Sequence, residues 1–80
     1  MVIKRVVSRR LKGLMAEHDM TIKDLSKKIG ISENSLTLKI NAQRDWWFWE
    51  LMLIVKEFGF SEVKEVFPEL YEAVLKSKAS

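Results

Sequence analysis

A length of 80 residues suits one domain, and 48% hydrophobic with 31% charged residues describes a compact globule, not a disordered tail. The absence of cysteine excludes disulfides, thiol catalysis and thiolate metal sites. The net charge of +3 conceals an asymmetry: residues 1–44 carry ten Lys/Arg against four Asp/Glu, residues 45–80 four against seven.

A basic half joined to an acidic half points to a polyanion on one side. The longest apolar stretch, Trp46 to Val55, is interrupted by Glu50 and falls short of the roughly 20 residues of a membrane helix. The start, "MVIKRVVSRRLKG", has charges but no apolar block or cleavage site of the signal-peptide kind. A cytoplasmic, unprocessed protein is expected.

In chain order, Ile3, Val7, Leu11, Leu14 and Met15 recur at steps of three and four, which predicts a first helix ending near His18-Asp19. Arg9, Arg10 and Lys12 fall on its exposed side. "MTIKDLSKKIG" predicts a second helix, with Thr21 as N-cap, Asp24 in the capping-box position and Gly30 as the C-terminal stop. "ISENSLTLKI" restarts at once with Ser32 as cap. A fourth helix is expected over about Trp47 to Glu57 and a fifth from Ser61 to about Phe67. Pro68 opens a last one, about 68–78, since proline is tolerated in a first turn. No strand-like alternation or repeat intervenes. The expected fold is all-α: a compact bundle of five or six helices in a single domain spanning 1–80.

The informative segment is "TIKDLSKKIGISENSLTLKIN". Gly30, Ile31 and Ser32 alone separate two helices, a connection that forces a steep crossing and uses glycine's freedom at positive φ. Ser26, four before Gly30, is small enough to let the helices approach. In the third helix Leu36 and Ile40 point inward, while Asn34, Thr37, Leu38 and Asn41 form the opposite stripe at i, i+3, i+4 and i+7. That stripe is uncharged and offers amide, hydroxyl and methyl groups. Asparagine can bond adenine in bidentate fashion, leucine and threonine methyls can meet thymine, and Glu33 at the helix start can accept from a cytosine amino group.

These residues resemble the helix-turn-helix of lambda-repressor/Cro-like DNA-binding domains, especially those of small phage regulators. The resemblance rests on Leu25, Ser26 (usually alanine), Ile29, Gly30, Ile31, Ser32, Leu36 and Asn41, and extends over about Leu11 to Phe60. The following "NAQRD" is similar to the family's "NGKR" loop, with Ala42 where glycine is common. The resemblance implies that Glu33, Asn34 and Leu38 face bases with Thr37 close by, and that Ser32, Asn41 and Arg44 hold the DNA backbone. Ile22 stands where the family often has a phosphate-bonding glutamine, a role that Lys23, Lys27 or Lys28 is left to fill. Each of these lysines is otherwise ordinary solvated surface, and Asn41 is equally a helix cap in the left-handed conformation.

"RDWWFWELMLIV" gathers most of the large aromatics at one place. Trp47, Leu51, Ile54 and Phe58 form the face that would close a core, yet Trp49, Met52 and Leu53 fall on other sides, so the fourth helix is apolar nearly all round. A core seam that is also a dimer or partner contact, a core seam alone, and a base-stacking platform would all produce it. The last fits least, because residues 45–55 contain no Lys or Arg.

Catalysis finds no foothold: His18 is the single histidine, and there is no metal triad, acid pair or phosphate loop. No cofactor and no small-molecule ligand are expected. The expected function is sequence-specific double-stranded DNA binding as a transcription regulator, by resemblance a phage or prophage repressor or Cro-like protein, blocking a promoter as a homodimer. The alternatives are an antitoxin and a purely protein-binding helical module using the Trp46–Val55 helix.

Overall fold

Helix ends leave backbone amides and carbonyls open, so the residues that satisfy them set the boundaries. In the computed structural model, which describes residues 6–70, the helices are α1 (Arg9–Glu17), α2 (Ile22–Ile29), α3 (Glu33–Ile40), α4 (Phe48–Glu57) and α5 (Val63–Val66), and a further helical turn opens at Pro68. No strand occurs among the described residues. The all-α expectation holds, and the stretch of the last helix beyond residue 70 lies outside the described residues.

The α2–α3 corner forms as its residue types require. Thr21 Oγ1 accepts the Asp24 amide at 3.1 Å while Asp24 Oδ2 accepts the Thr21 amide at 3.0 Å, a complete capping box. At the other end Gly30 sits at φ +77°, and the Ser26 carbonyl receives both the Gly30 and Ile31 amides. Ser26 is buried where the helices meet, and its hydroxyl donates to the Lys23 carbonyl at 2.9 Å, so its one polar group is satisfied within its own turn. Ser32 Oγ then accepts the Ser35 amide and starts α3.

Every helix contributes to one core: Leu11, Leu14 and Met15 from α1, Leu25 and Ile29 from α2, Leu36 and Ile40 from α3, Leu51, Ile54 and Val55 from α4, and Val66 from α5, with Phe58 and Phe67 at the helix ends. Burying one such side chain is worth about 1.5–3 kcal/mol, whereas an N-cap is worth about 1 kcal/mol. Packing therefore sets the arrangement of the helices, and the caps set where they stop.

Three boundaries differ from the sequence reading. The first helix begins at Arg9, not Ile3: Val6, Val7 and Ser8 are not helical, and the buried Ser8 donates its amide to the Ile40 carbonyl at 2.9 Å. The N-terminal turn of α1 is capped from the far end of the chain, where Glu69 Oε1 accepts the Arg10 amide at 2.9 Å. Second, α4 begins at Phe48 with Trp47 as N-cap. Trp47 is exposed and does not join Leu51, Ile54 and Phe58. Trp46 turns inward in its place, its ring edge-on to Phe67 with centroids 5.2 Å apart. Third, α5 covers four residues, because Glu65 Oε2 accepts the Ser61 and Glu62 amides and holds both outside the helix.

Candidate nucleic-acid interface

The outward side of α3 is built by the tight corner before it. Leu36 and Ile40 are anchored in the core, and with 100° between successive residues this turns Glu33, Asn34 and Thr37 into solvent, where all three are exposed. Leu38 and Asn41 are half-buried at the edge of the same stripe. Thr37 has already committed its proton, donating from Oγ1 to the Glu33 carbonyl at 2.9 Å. It therefore offers an outside group only lone pairs and its methyl. Asn34 retains an exposed amide able to donate and accept at once, the requirement for bidentate contact with an adenine edge.

The groups expected to hold the DNA backbone are mostly exposed. Ser32 is exposed at the start of α3 and uses its oxygen as an acceptor, which leaves its hydroxyl proton available. Arg44 is exposed beyond α3, and its guanidinium donates to Ser35 Oγ at 3.1 Å, which leans the cation back along the helix. Lys23 and Lys27 are exposed on α2. Lys28 instead pairs with Glu57 of α4 at 2.9 Å, in a half-exposed bridge of modest strength.

Asn41 closes α3 as its C-cap, but at φ −90° and not in the left-handed form. The left-handed residue is the next one, Ala42, at φ +64°. The strain lies where the resemblance places a glycine, and this chain spends an alanine there.

Two features of the site were missed in the sequence. A groove beside the stripe is lined by Thr37, Ile40 and Asn41 together with Lys12, Met15 and Ala16 of α1 and by Met20 and Ile22. Lys12 thus borders the same groove as two of the stripe residues, although linear spacing marked it only as exposed helix surface. The other is the support beneath α3. Lys39 is buried, and its ammonium is held by Glu50 Oε2 of α4, itself buried. Glu50 Oε1 accepts the Trp47 amide at 2.8 Å. The signal was in the sequence: Glu50 breaks the longest apolar run, and Lys39 lies three residues after Leu36 on the inner side of α3.

The corner is also electrostatically tuned. The Thr21 amide, and then the Thr21 hydroxyl, hold the Asp24 carboxyl below the usual carboxylate range, with Lys27 and Lys28 adding to the effect. Among the described residues no group of three or more His, Asp or Glu is placed to hold a metal ion. None of their helices is long and apolar enough to cross a membrane.

The aromatic run divides. Trp46 is tucked against Phe67, whereas Trp47, Phe48, Trp49 and Leu53 are exposed and Met52 is half-buried. The expectation that the fourth helix is apolar beyond its core face is met.

No curated protein and no solved structure gave a significant match to this chain. Residues 10–60, however, match the family described as the Cro/C1-type HTH DNA-binding domain, a non-enzymatic family. That span runs from α1 through the α2–α3 corner to the turn after α4 and includes every residue assigned above to the candidate interface. This chain therefore belongs to the Cro/C1-type helix-turn-helix DNA-binding family, and DNA binding is the activity its fold implies.

Proposed function

We propose that the protein is a sequence-specific reader of double-stranded DNA that acts as a transcription regulator, in the manner of a phage or prophage repressor or a Cro-like protein. The supporting observation is the exposed, mostly uncharged face of α3 held outward by the capped α2–α3 corner. In this reading α3 enters the major groove. Asn34 bonds a base edge, Thr37 and Leu38 present methyls, and Glu33 accepts from a cytosine amino group. Ser32, Asn41, Arg44 and Lys23 hold the sugar-phosphate backbone and fix register without reading sequence.

One module buries limited DNA surface, so the reading includes a homodimer on a pseudo-palindrome with half-sites about 34 Å apart. Trp49, Met52 and Leu53 of α4 supply the contact between copies. Exclusion of polymerase from an overlapping promoter is then sufficient for repression.

Selection of binding sites from a random duplex library tests this directly. The expected product is a two-fold symmetric consensus whose affinity falls steeply with salt through counterion release. A library with no enrichment would reject DNA reading.

The exposed Trp47, Phe48 and Trp49 also favour a second reading, an antitoxin or protein-binding module with the apolar ledge as the docking surface. Binding to a protein partner through that ledge would respond weakly to salt, which separates the two.

A further inference from the structure

Thr37 and Asn41, at the edge of the α3 stripe, also line the groove between α1, the start of α2 and the end of α3. Its volume is about 420 Å³, inside the range of roughly 300–1,000 Å³ typical of small-molecule sites. Met15 and Ile40 reach it from the core, and the half-buried Met20 and Ile22 leave hydrocarbon uncovered along it. The unbranched thioether chains of the methionines adapt to the outline of whatever lies against them. Sequence spacing leads to no small-molecule ligand, because Lys12, Ile22 and Ile40 meet only once α1, α2 and α3 have packed.

We propose that this groove binds a small amphipathic anion, an aliphatic carboxylate of medium chain length, with its head on Lys12 and its chain along Met15, Met20, Ile22 and Ile40, and that the bound ligand excludes DNA. Charge and wall chemistry together set the class. Lys12 is the one charged side chain among the lining residues; it is exposed and, among the described residues, has no ion-pair partner. No carboxylate lines the groove to repel an anion, and no ring lines it to stack on an aromatic one. Asn41 adds an amide donor to the lining, whereas the Thr37 hydroxyl proton is already given to the Glu33 carbonyl. A DNA phosphate would satisfy Lys12 but leave the hydrocarbon in water, so an anion carrying its own apolar chain fits the groove better. Thr37 and Asn41 belong to both surfaces, so ligand and DNA compete. That competition rests on the reading of α3 as the DNA-facing helix, whereas ligand binding does not.

Octanoate below its micelle concentration is the probe, with 1-octanol and octylammonium as neutral and cationic controls. The chain has four methionines, and Met52 on α4 reports unspecific adsorption to the exposed aromatics there. In a methionine-methyl NMR titration, Met15 and Met20 should shift together along one saturating curve while Met52 stays in place. Affinity should rise roughly two- to fourfold for each methylene added from hexanoate to octanoate. An exposed ion pair contributes little by itself, so octanol should bind about two- to fivefold more weakly than octanoate, and Lys12→Gln should erase that difference. Ile22→Gln, at a half-buried position, should keep the fold and weaken octanoate by about fivefold or more. Equal shifts at Met52 would overturn the site, and inorganic phosphate moving the Met15 and Met20 methyls as octanoate does would overturn the ligand class. Octylammonium binding as tightly as octanoate would reject the role of Lys12. With a selected duplex, octanoate should lower the DNA affinity of the parent and not that of Ile22→Gln; unchanged affinity in the parent would overturn the exclusion of DNA. Failure of the untreated chain to bind any duplex would count against DNA reading, and the methyl titration would still decide the groove.

Discussion

Replacing Lys39 with methionine isolates the support under α3 without touching any side chain of the candidate interface. The Lys39 and Glu50 side chains are 6% and 1% exposed, and the ammonium is held by one carboxylate oxygen while the other receives the Trp47 amide at 2.8 Å. Methionine keeps most of the stem and removes the charge, so Glu50 is left in the core with one amide donor. Removing one member of a buried pair costs about 3–5 kcal/mol, because the remaining charge has lost both water and its partner. A chain of 80 residues has roughly 4–12 kcal/mol of stability in all. The loss is therefore a quarter of the total at the least, and at about 4–8 °C per kcal/mol the melting temperature should fall by 12 °C or more.

The assay is thermal and urea denaturation followed by tryptophan fluorescence and circular dichroism. The companion is Lys39→Met combined with Glu50→Leu, which removes both charges. It should recover most of the loss and remain short by about 1 kcal/mol, since the Trp47 amide must exchange its carboxylate for water. A Lys39→Met protein within about 1 kcal/mol of the parent would show that the pair is not sequestered. A double variant no more stable than the worse single one would show that lost packing, and not an orphaned charge, causes the damage.

Ala42→Gly should stabilise the fold by about 0.5–1 kcal/mol: the left-handed conformation at φ +64° costs an L-residue roughly 1–2 kcal/mol, and part of the gain is offset by the freer unfolded chain. Equal or lower stability on denaturation would reject the strain. Asn34→Ala should weaken binding to a selected site by about 1–3 kcal/mol and relax one base position, while Arg44→Ala should weaken all sequences alike and reduce the salt slope by about 1. Competition binding across single-base variants distinguishes the two patterns, and no change from either substitution would remove α3 from the groove. The depressed Asp24 carboxyl is stabilised in its charged form by Thr21, Lys27 and Lys28. Its contribution is present at neutral pH and lost as pH falls below the ordinary carboxylate value of about 4. Asp24→Asn should flatten the acid limb of the stability curve between about pH 5 and pH 2; superimposable limbs would exclude the capping box as a source of acid sensitivity.

Local chemistry was legible wherever a short stretch of chain decides its own conformation. The Thr21–Asp24 box, the left-handed Gly30, the Ser32 cap and the Pro68 start are each settled locally, the caps by side chains that bond neighbouring backbone and Gly30 and Pro68 by their own backbone preferences, and all four appear as read. The outward stripe of α3 was legible for a related reason: once Leu36 and Ile40 are inside, helical geometry places Asn34 and Thr37 outside.

What sequence spacing misjudged depended on partners distant along the chain. Residues 6–8 carry an apolar period, yet the Ser8 amide is taken by the Ile40 carbonyl, 32 residues on, and so is not helical. Trp47 leaves the core face expected for it and Trp46 packs instead, because Phe67 offers an edge to the Trp46 indole. In the sequence Glu50 reads only as a break in an apolar run, and Lys39 attracts no reading. They are a buried pair because α3 and α4 bring opposite charges together where neither could remain alone. Sequence by itself determined that the helices form, the caps of α2 and α3 and the face that α3 turns outward, since these depend on interactions within a turn or two. Tertiary structure alone decided which charges are buried and which aromatics are left bare, because burial is a property of what packs against a residue and not of the residue's own neighbours in the chain.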